Sequence, residues 1–352
     1  MTISVGNAGP VPEFKATRRE WLGLAVIALP CMLYSMDLTV LNLAVPELTK
    51  DLKPSASQLL WIIDIYGFMV AGFLMIMGSL GDRFGRRRLL LIGAAAFGAT
   101  SLLAAFAASA EALIFARAAL GIAGATLAPS TLSLISSMFR DPTERTFAIS
   151  MWVSSFSAGA VIGPLVGGFL ISYFWWGSVF LAGVPVMLLL MALGPLLLPE
   201  FRDPEARPID YASAFLSLIA VLSFIYGVKE WAEYGLSLTV LATIAAGIAF
   251  GVFFFRRQKV LNNPFVDLSL FKSPVFSLSL AINGLGIFFM FGAFVFVAQY
   301  LQLVAGLTPL KAGLWSLPSA VAFTFVSMQT PKLASRIPAA NLIAGGLALS
   351  AL

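Results

Sequence analysis

The chain reads as long apolar runs separated by short polar breaks. Ten runs are long enough to cross a bilayer as helices: roughly Trp21–Val45, Gln58–Leu80, Leu89–Ala108, Ala112–Met138, Thr146–Phe174, Ser178–Leu198, Tyr211–Val228, Leu236–Phe255, Ser277–Val304 and Leu310–Thr330. About 20 apolar residues suffice for one crossing. The pattern predicts an all-α polytopic membrane protein. An eleventh run begins near Ala339 and reaches Leu352. At a helical rise of about 1.5 Å per residue it covers roughly 21 Å, short of a ~30 Å hydrocarbon core. The chain is therefore expected to be truncated at its C-terminus.

Composition narrows the function classes. Of 352 residues, 59% are hydrophobic and 11% charged, with mean hydropathy +0.93, a balance foreign to soluble domains. The net charge of +5 sits in loops and does not argue for nucleic acid. Histidine is absent, and Cys31 is the single cysteine, inside the first run. This removes disulfides, His or Cys metal sites and any Ser-His or Cys-His nucleophile. Neither an enzyme nor a cofactor is expected.

The loop charges predict orientation. Seventeen basic residues fall on one side, among them Lys15, Arg18, Arg83, Arg140, Arg202, Arg256 and Lys332; Lys50, Lys53, Lys229 and Lys311 fall on the other. This bias predicts a cytoplasmic N-terminus in a multi-pass cytoplasmic (inner) membrane protein. Trp61, Trp175, Trp176 and Trp231 are then expected at the outer interface. The polar linker Pro199–Asp210 divides the chain. The expected organisation is a cytoplasmic N-terminus (1–20), a six-helix N-terminal bundle (21–198), a cytoplasmic linker (199–210), an inserted helix pair (211–255), a cytoplasmic loop (256–276) and a partial C-terminal bundle (277–352). A weak internal repeat supports the division: Leu80–Phe84 matches Leu333–Ile337 in position, and Pro54 corresponds to Pro309.

The break between runs two and three carries five charges: Gly78-Ser-Leu-Gly-Asp82-Arg83-Phe-Gly85-Arg86-Arg87-Arg88. Gly81 and Gly85 permit a tight turn, and the arginines favour the cytoplasm. A purely basic anchor has no need of Asp82. The pattern G-x-L-x-D-R-x-G-R-R-R resembles the loop between helices 2 and 3 of the major facilitator superfamily. That resemblance implies the facilitator fold. It also implies a gating role for Gly78, Asp82, Arg83, Gly85, Arg86 and Arg87, with Asp82 docking on a late helix of the second bundle.

Three charges lie inside apolar runs: Asp37, Asp64 and Arg117. A charge at mid-bilayer costs at least about 2.5–3.5 kcal/mol, so each needs a partner, a wet cavity or a lost charge. Counted from the run ends, Asp37 lies about 24 Å from the inner face, and Asp64 and Arg117 about 9 and 8 Å from the outer one. Similar depth predicts one polar cavity open to the outside. A carboxylate there, alternately near and away from an arginine, binds either a proton or a cationic substrate. The simpler alternative is a structural Asp–Arg pair.

Neighbouring residues extend the resemblance. Asp37-Leu-Thr39-Val-Leu-Asn42-Leu-Ala44-Val-Pro46 is similar to the D-x-T-x-x-N-x-A-x-P signature of the fourteen-span drug:proton antiporters. Trp61-Ile-Ile-Asp64-Ile-Tyr66-Gly67 resembles span 2 of their quaternary-ammonium and methyl-viologen exporters. Arg117-Ala-Ala-Leu120-Gly121 resembles the family's R-x-x-Q-G motif, but with leucine where glutamine is usual. Gly159, Gly163, Pro164, Gly167 and Gly168 resemble the antiporter run of exporters. Glycines every fourth residue make a smooth stripe for close helix packing, and Pro164 favours a kink. The resemblance implies proton-coupled efflux of lipophilic, cationic drugs by alternating access, powered by the proton gradient. The expected partners are the lipid bilayer, the substrate and protons; the oligomeric state is open. The alternatives are a metabolite carrier of the same superfamily or a non-transporting remnant.

Overall fold

A computed structural model describes residues 15–202, 210–261, 264–307, 309–334 and 336–350. All regular structure among them is helical. Eight helical segments among the described residues are long and apolar enough to cross a membrane. They run through α1 (Arg18–Leu52), α2 (Ala56–Phe84), α3 (Arg86–Ala105), α4 with α5 (Ala110–Gly124, Leu127–Met138), α6 (Pro142–Tyr173), α7 with α8 (Ser178–Leu181, Gly183–Leu197), α9 (Tyr211–Tyr234) and α10 (Leu238–Val260). The ninth and tenth apolar runs fold as α11 (Pro274–Gln299) and α12 (Pro309–Ala334), and the last fragment as α13 (Ala339–Ser350).

Helices begin where polar side chains supply the missing acceptors for first-turn N–H groups, and α1, α2, α4 and α6 thereby start two to four residues before their apolar runs. Thr17 with Glu20, and Ser55 with Gln58, form reciprocal capping boxes at α1 and α2. Ser109, Asp141, Asp210 and Ser237 cap α4, α6, α9 and α10. Pro30, Pro46 and Pro164 lie inside helices that continue through them.

α1 packs along α6 over most of its length, α2 along α4, and α3 between α4 and α8. The α9–α10 pair packs on itself and rests against α2; α12 lies along α6. Arg117 and Tyr66 are the largest fully buried side chains of the core. One end of the bundle gathers basic residues with exposed carbonyls. Arg19 donates to Leu196 O at 2.8 Å, and Arg87 to Leu198 O at 3.0 Å, at the C-terminus of α8. Cations belong there, beside the carbonyls that a helix end leaves unpaired.

Two expectations change here. The turn in Gly78–Arg88 is narrower than the polar break: α2 continues to Phe84, α3 starts at Arg86, and Gly85 alone breaks the helix at φ +105°. Asp82 pairs with Arg86 across the break, one turn apart, while Arg83 stays exposed. Trp176 is not an interface anchor. It is buried and donates to Asp51 at 2.7 Å, whereas Trp175 and Trp231 are exposed. Within the repeat Leu333–Ile337, Ser335 lies outside the described residues, as does most of the linker Pro199–Asp210.

Candidate functional site

Arg117 reaches out of α4 into the seam between α1 and α2. Its Nη1 donates to Asp37 Oδ2 at 3.1 Å, with the two side chains 1% and 10% exposed. Its Nε donates to the carbonyl of Ile62 at 2.6 Å and Nη2 to that of Ile63 at 3.3 Å. The guanidinium also lies over the rings of Tyr66, at 5.3 Å, and Phe180, at 5.8 Å. Close approach of the helices makes this reach possible. A methyl group on Gly121, one turn beyond Arg117, would fall 2.5 Å from Tyr66 O. A planar fork of N–H donors suits this task better than an ammonium, since one side chain serves a carboxylate and two carbonyls.

Asp64 does not join them. It forms an ion pair with Lys229 of α9, each side chain about three-tenths exposed. Its cleft is lined by Trp61, Phe68, Tyr226 and Glu230 besides the pair itself. The expectation of one cavity holding Asp37, Asp64 and Arg117 is therefore overturned. The reason is rotational: Asp37 faces Arg117 inside the bundle, while the α2 backbone turns Asp64 outward to α9. What connects the two acids is Arg117, which grips the α2 carbonyls of Ile62 and Ile63, immediately before Asp64.

Lys229 was assigned to an outer loop, because the apolar run ends at Val228. The helix runs to Tyr234 and stops at Gly235, whose φ of +78° closes it. The signal available in the sequence was that glycine. Glu230, the next residue, also borders the Asp64 cleft.

The α6 glycines meet α1. A methyl group on Gly159 would strike the backbone carbonyl of Met32; at Gly163 it would reach Thr39 Oγ1 at 2.5 Å, and at Gly167 it would strike Val40. Gly168 has nothing within 4 Å and is not part of the packed stripe. Pro164 is half-buried on the same helix. The stripe thus seats one face of α1 while Asp37, on another face, meets Arg117.

At the basic end, Asp82 pairs with Arg86, and Arg86 Nη1 donates to Gly78 O at 3.1 Å. Arg87 Nε lies 3.4 Å from Glu200, whose carboxylate sits directly over Gly85. The backbone N–H of Arg86 donates to Phe201 O at 2.9 Å. Arg83 is exposed, its guanidinium 6.0 Å from the Phe84 ring centre. Among the described residues, Asp82 is engaged within its own loop, and the loop docks on the segment after α8 through Glu200, a partner that sequence reasoning missed. Phe288, Phe289 and Phe296 of α11 are exposed.

The described helices form an all-helical bundle with eight segments of membrane-spanning length, an ion pair inside it and a basic hairpin at one end. The sequence profile of the Major Facilitator Superfamily matches residues 27–352, and the chain belongs to that family. It is 48% identical over 329 residues to the multidrug efflux pump LfrA of Mycolicibacterium smegmatis, covering 94% of this chain and 65% of that protein. It is 38% identical to the methyl viologen resistance protein SmvA of Salmonella typhimurium, covering 95% and 68%. The multidrug resistance protein Stp of Mycobacterium tuberculosis is 31% identical, with 94% and 62% covered. The chain thus spans about two thirds of the length of these relatives.

Proposed function

We propose that the protein takes part in proton-coupled efflux of lipophilic, cationic compounds across the cytoplasmic membrane by alternating access. The observation that carries this reading is the double grip of Arg117, on Asp37 of α1 and on the α2 backbone next to Asp64. Arg117 remains anchored to α2 whether or not Asp37 is charged. A proton on Asp37 neutralises the carboxylate and loosens α1 from α4. α1 then shifts against α6 along the smooth glycine face. Motion of α2 or α4 passes through the Ile62 and Ile63 carbonyls to Asp64, the acid facing a partly open aromatic cleft. Proton and cation therefore act on different acids joined by one arginine.

The same proposal places the N-terminus and the Gly85 hairpin in the cytoplasm, on the strength of the arginines gathered there. It takes residues 21–198 as the N-terminal bundle, 211–255 as an insert and 277–352 as part of a second bundle. The Asp82–Arg86 and Arg87–Glu200 pairs serve as the latch of the cytoplasmic end. The relatives' printed names, a multidrug efflux pump and a methyl viologen resistance protein, support the substrate class.

The test is ethidium efflux from cells expressing residues 1–352. The proposal expects proton-driven efflux above an empty vector, and loss of it in Asp37→Asn and in Asp64→Asn. Efflux equal to the empty vector, or unchanged in both variants, contradicts it.

A further inference from the structure

Lys229 is an ammonium at the end of a flexible stem, set five residues before the end of α9 and directed across the helix seam onto Asp64. It does not turn away to the helix end, where a long side chain would gain water. Its ammonium lies 5.9 Å from the centre of the Phe68 ring. Above the same cleft Trp61 and Tyr226 stack, ring centres 5.8 Å apart at 18°. Glu230 supplies a second carboxylate. A carboxylate pair with stacked aromatic walls is the chemistry that recognises a flat organic cation, and here its cationic position is filled by the protein's own lysine.

We propose that Lys229 is a tethered competitor that occupies the Asp64 site, and that an organic cation binds there by displacing the lysine ammonium. The inference rests on the reading of Asp64 as a cation acceptor given above. Displacement ties substrate entry to the insert pair, because it releases an ion pair that holds α9 to α2. It also sets a charge rule. With Lys229 in place the cleft carries one net negative charge from Asp64 and Glu230 against the lysine; without it, two. Loss of the lysine charge should favour a dication over a monocation of the same ring system.

The experiment is a fluorescence titration of the purified full chain with ethidium, a monocation, and propidium, a dication on the same phenanthridinium ring. Lys229→Gln is expected to tighten both, by about tenfold or more, and propidium more than ethidium. Lys229→Arg, which keeps the charge, is expected to bind like the unsubstituted chain. Asp64→Asn is expected to weaken both dyes, with or without Lys229→Gln. A second measurement needs no substitution: acetylation of Lys229 by an amine-reactive reagent, read by mass spectrometry, should rise when ethidium is added. If Lys229→Gln binds no tighter and dye does not raise acetylation, while Asp64→Asn still weakens binding, the tethered-competitor inference is overturned and Asp64 remains the cation site. If Asp64→Asn binds as the unsubstituted chain does, or no chain binds either dye, the reading of Asp64 fails and takes this inference with it.

Discussion

Arg117 on α4 holds Asp37 on α1 at 3.1 Å, in a seam where both side chains are nearly closed to the surroundings. Removing one member of such a pair leaves an uncompensated charge, at a cost of about 3–5 kcal/mol, whereas removing both costs far less. Arg117→Met should therefore lower the thermal midpoint of the detergent-solubilised protein sharply, and Asp37→Asn combined with Arg117→Met should recover much of that loss. Strictly additive losses in the two variants would mean that the pair contributes little as a pair.

The α6 glycines are not equivalent. A methyl group at Gly159 meets the immovable backbone carbonyl of Met32; at Gly168 it meets open space. Overpacking of this kind costs about 1–3 kcal/mol. Gly159→Ala should destabilise the protein and depress efflux, and Gly168→Ala should leave both within error. Thermal unfolding and dye efflux, measured on both variants side by side, check this. Equal effects at the two positions would remove the distinction drawn from the structure.

Gly85 adopts φ +105° beneath Glu200, so a side chain there is both strained and obstructed. Gly85→Ala should unseat the hairpin from the segment after α8, at a cost of about 1–3 kcal/mol. The readout is faster proteolysis at Arg86–Arg88 in inside-out vesicles. The double variant Gly85→Ala with Glu200→Ala should regain only the steric part, since φ remains unfavourable. Unchanged proteolysis in the single variant would contradict the docking.

At the start of α9, Asp210 accepts two hydrogen bonds from Arg257 of α10, each 2.9 Å. These bonds chiefly, together with those from Ser213, hold its carboxyl down to about 2. A depressed carboxylate stabilises the fold above its unfolded value, near 3.8, and that stabilisation fades as pH falls towards about 2. Hydrogen exchange at the first turn of α9 should accelerate over this acid window. Asp210→Asn should exchange fast already at neutral pH and lose the acid dependence.

Much of the architecture was legible because hydrocarbon imposes it: apolar runs of bilayer length must be helices. Helix ends were less legible, since polar caps such as Thr17 and Ser55 start α1 and α2 ahead of their apolar runs. Asp37 and Arg117 were visible as charges that demand partners, and they do meet. Asp64 was visible for the same reason, but its partner was not. Linear depth fixes height along a helix and leaves its rotation undetermined. Lys229 follows the last residue of an apolar run yet lies inside the helix, which stops only at Gly235. Glu200 could not be foreseen as the partner of Arg87, because nothing in the pattern joins residues so distant in sequence.

The central claim is that a proton leaves Asp37 when a cation binds elsewhere, at Asp64. Its most direct test is proton release, followed with a pH-sensitive dye, when ethidium is added to the purified chain in weak buffer acidified until Asp37 carries its proton. The account predicts release from the unsubstituted chain and none from Asp37→Asn, even though Asp37→Asn still binds ethidium. Equal proton release from the Asp37→Asn chain would contradict it.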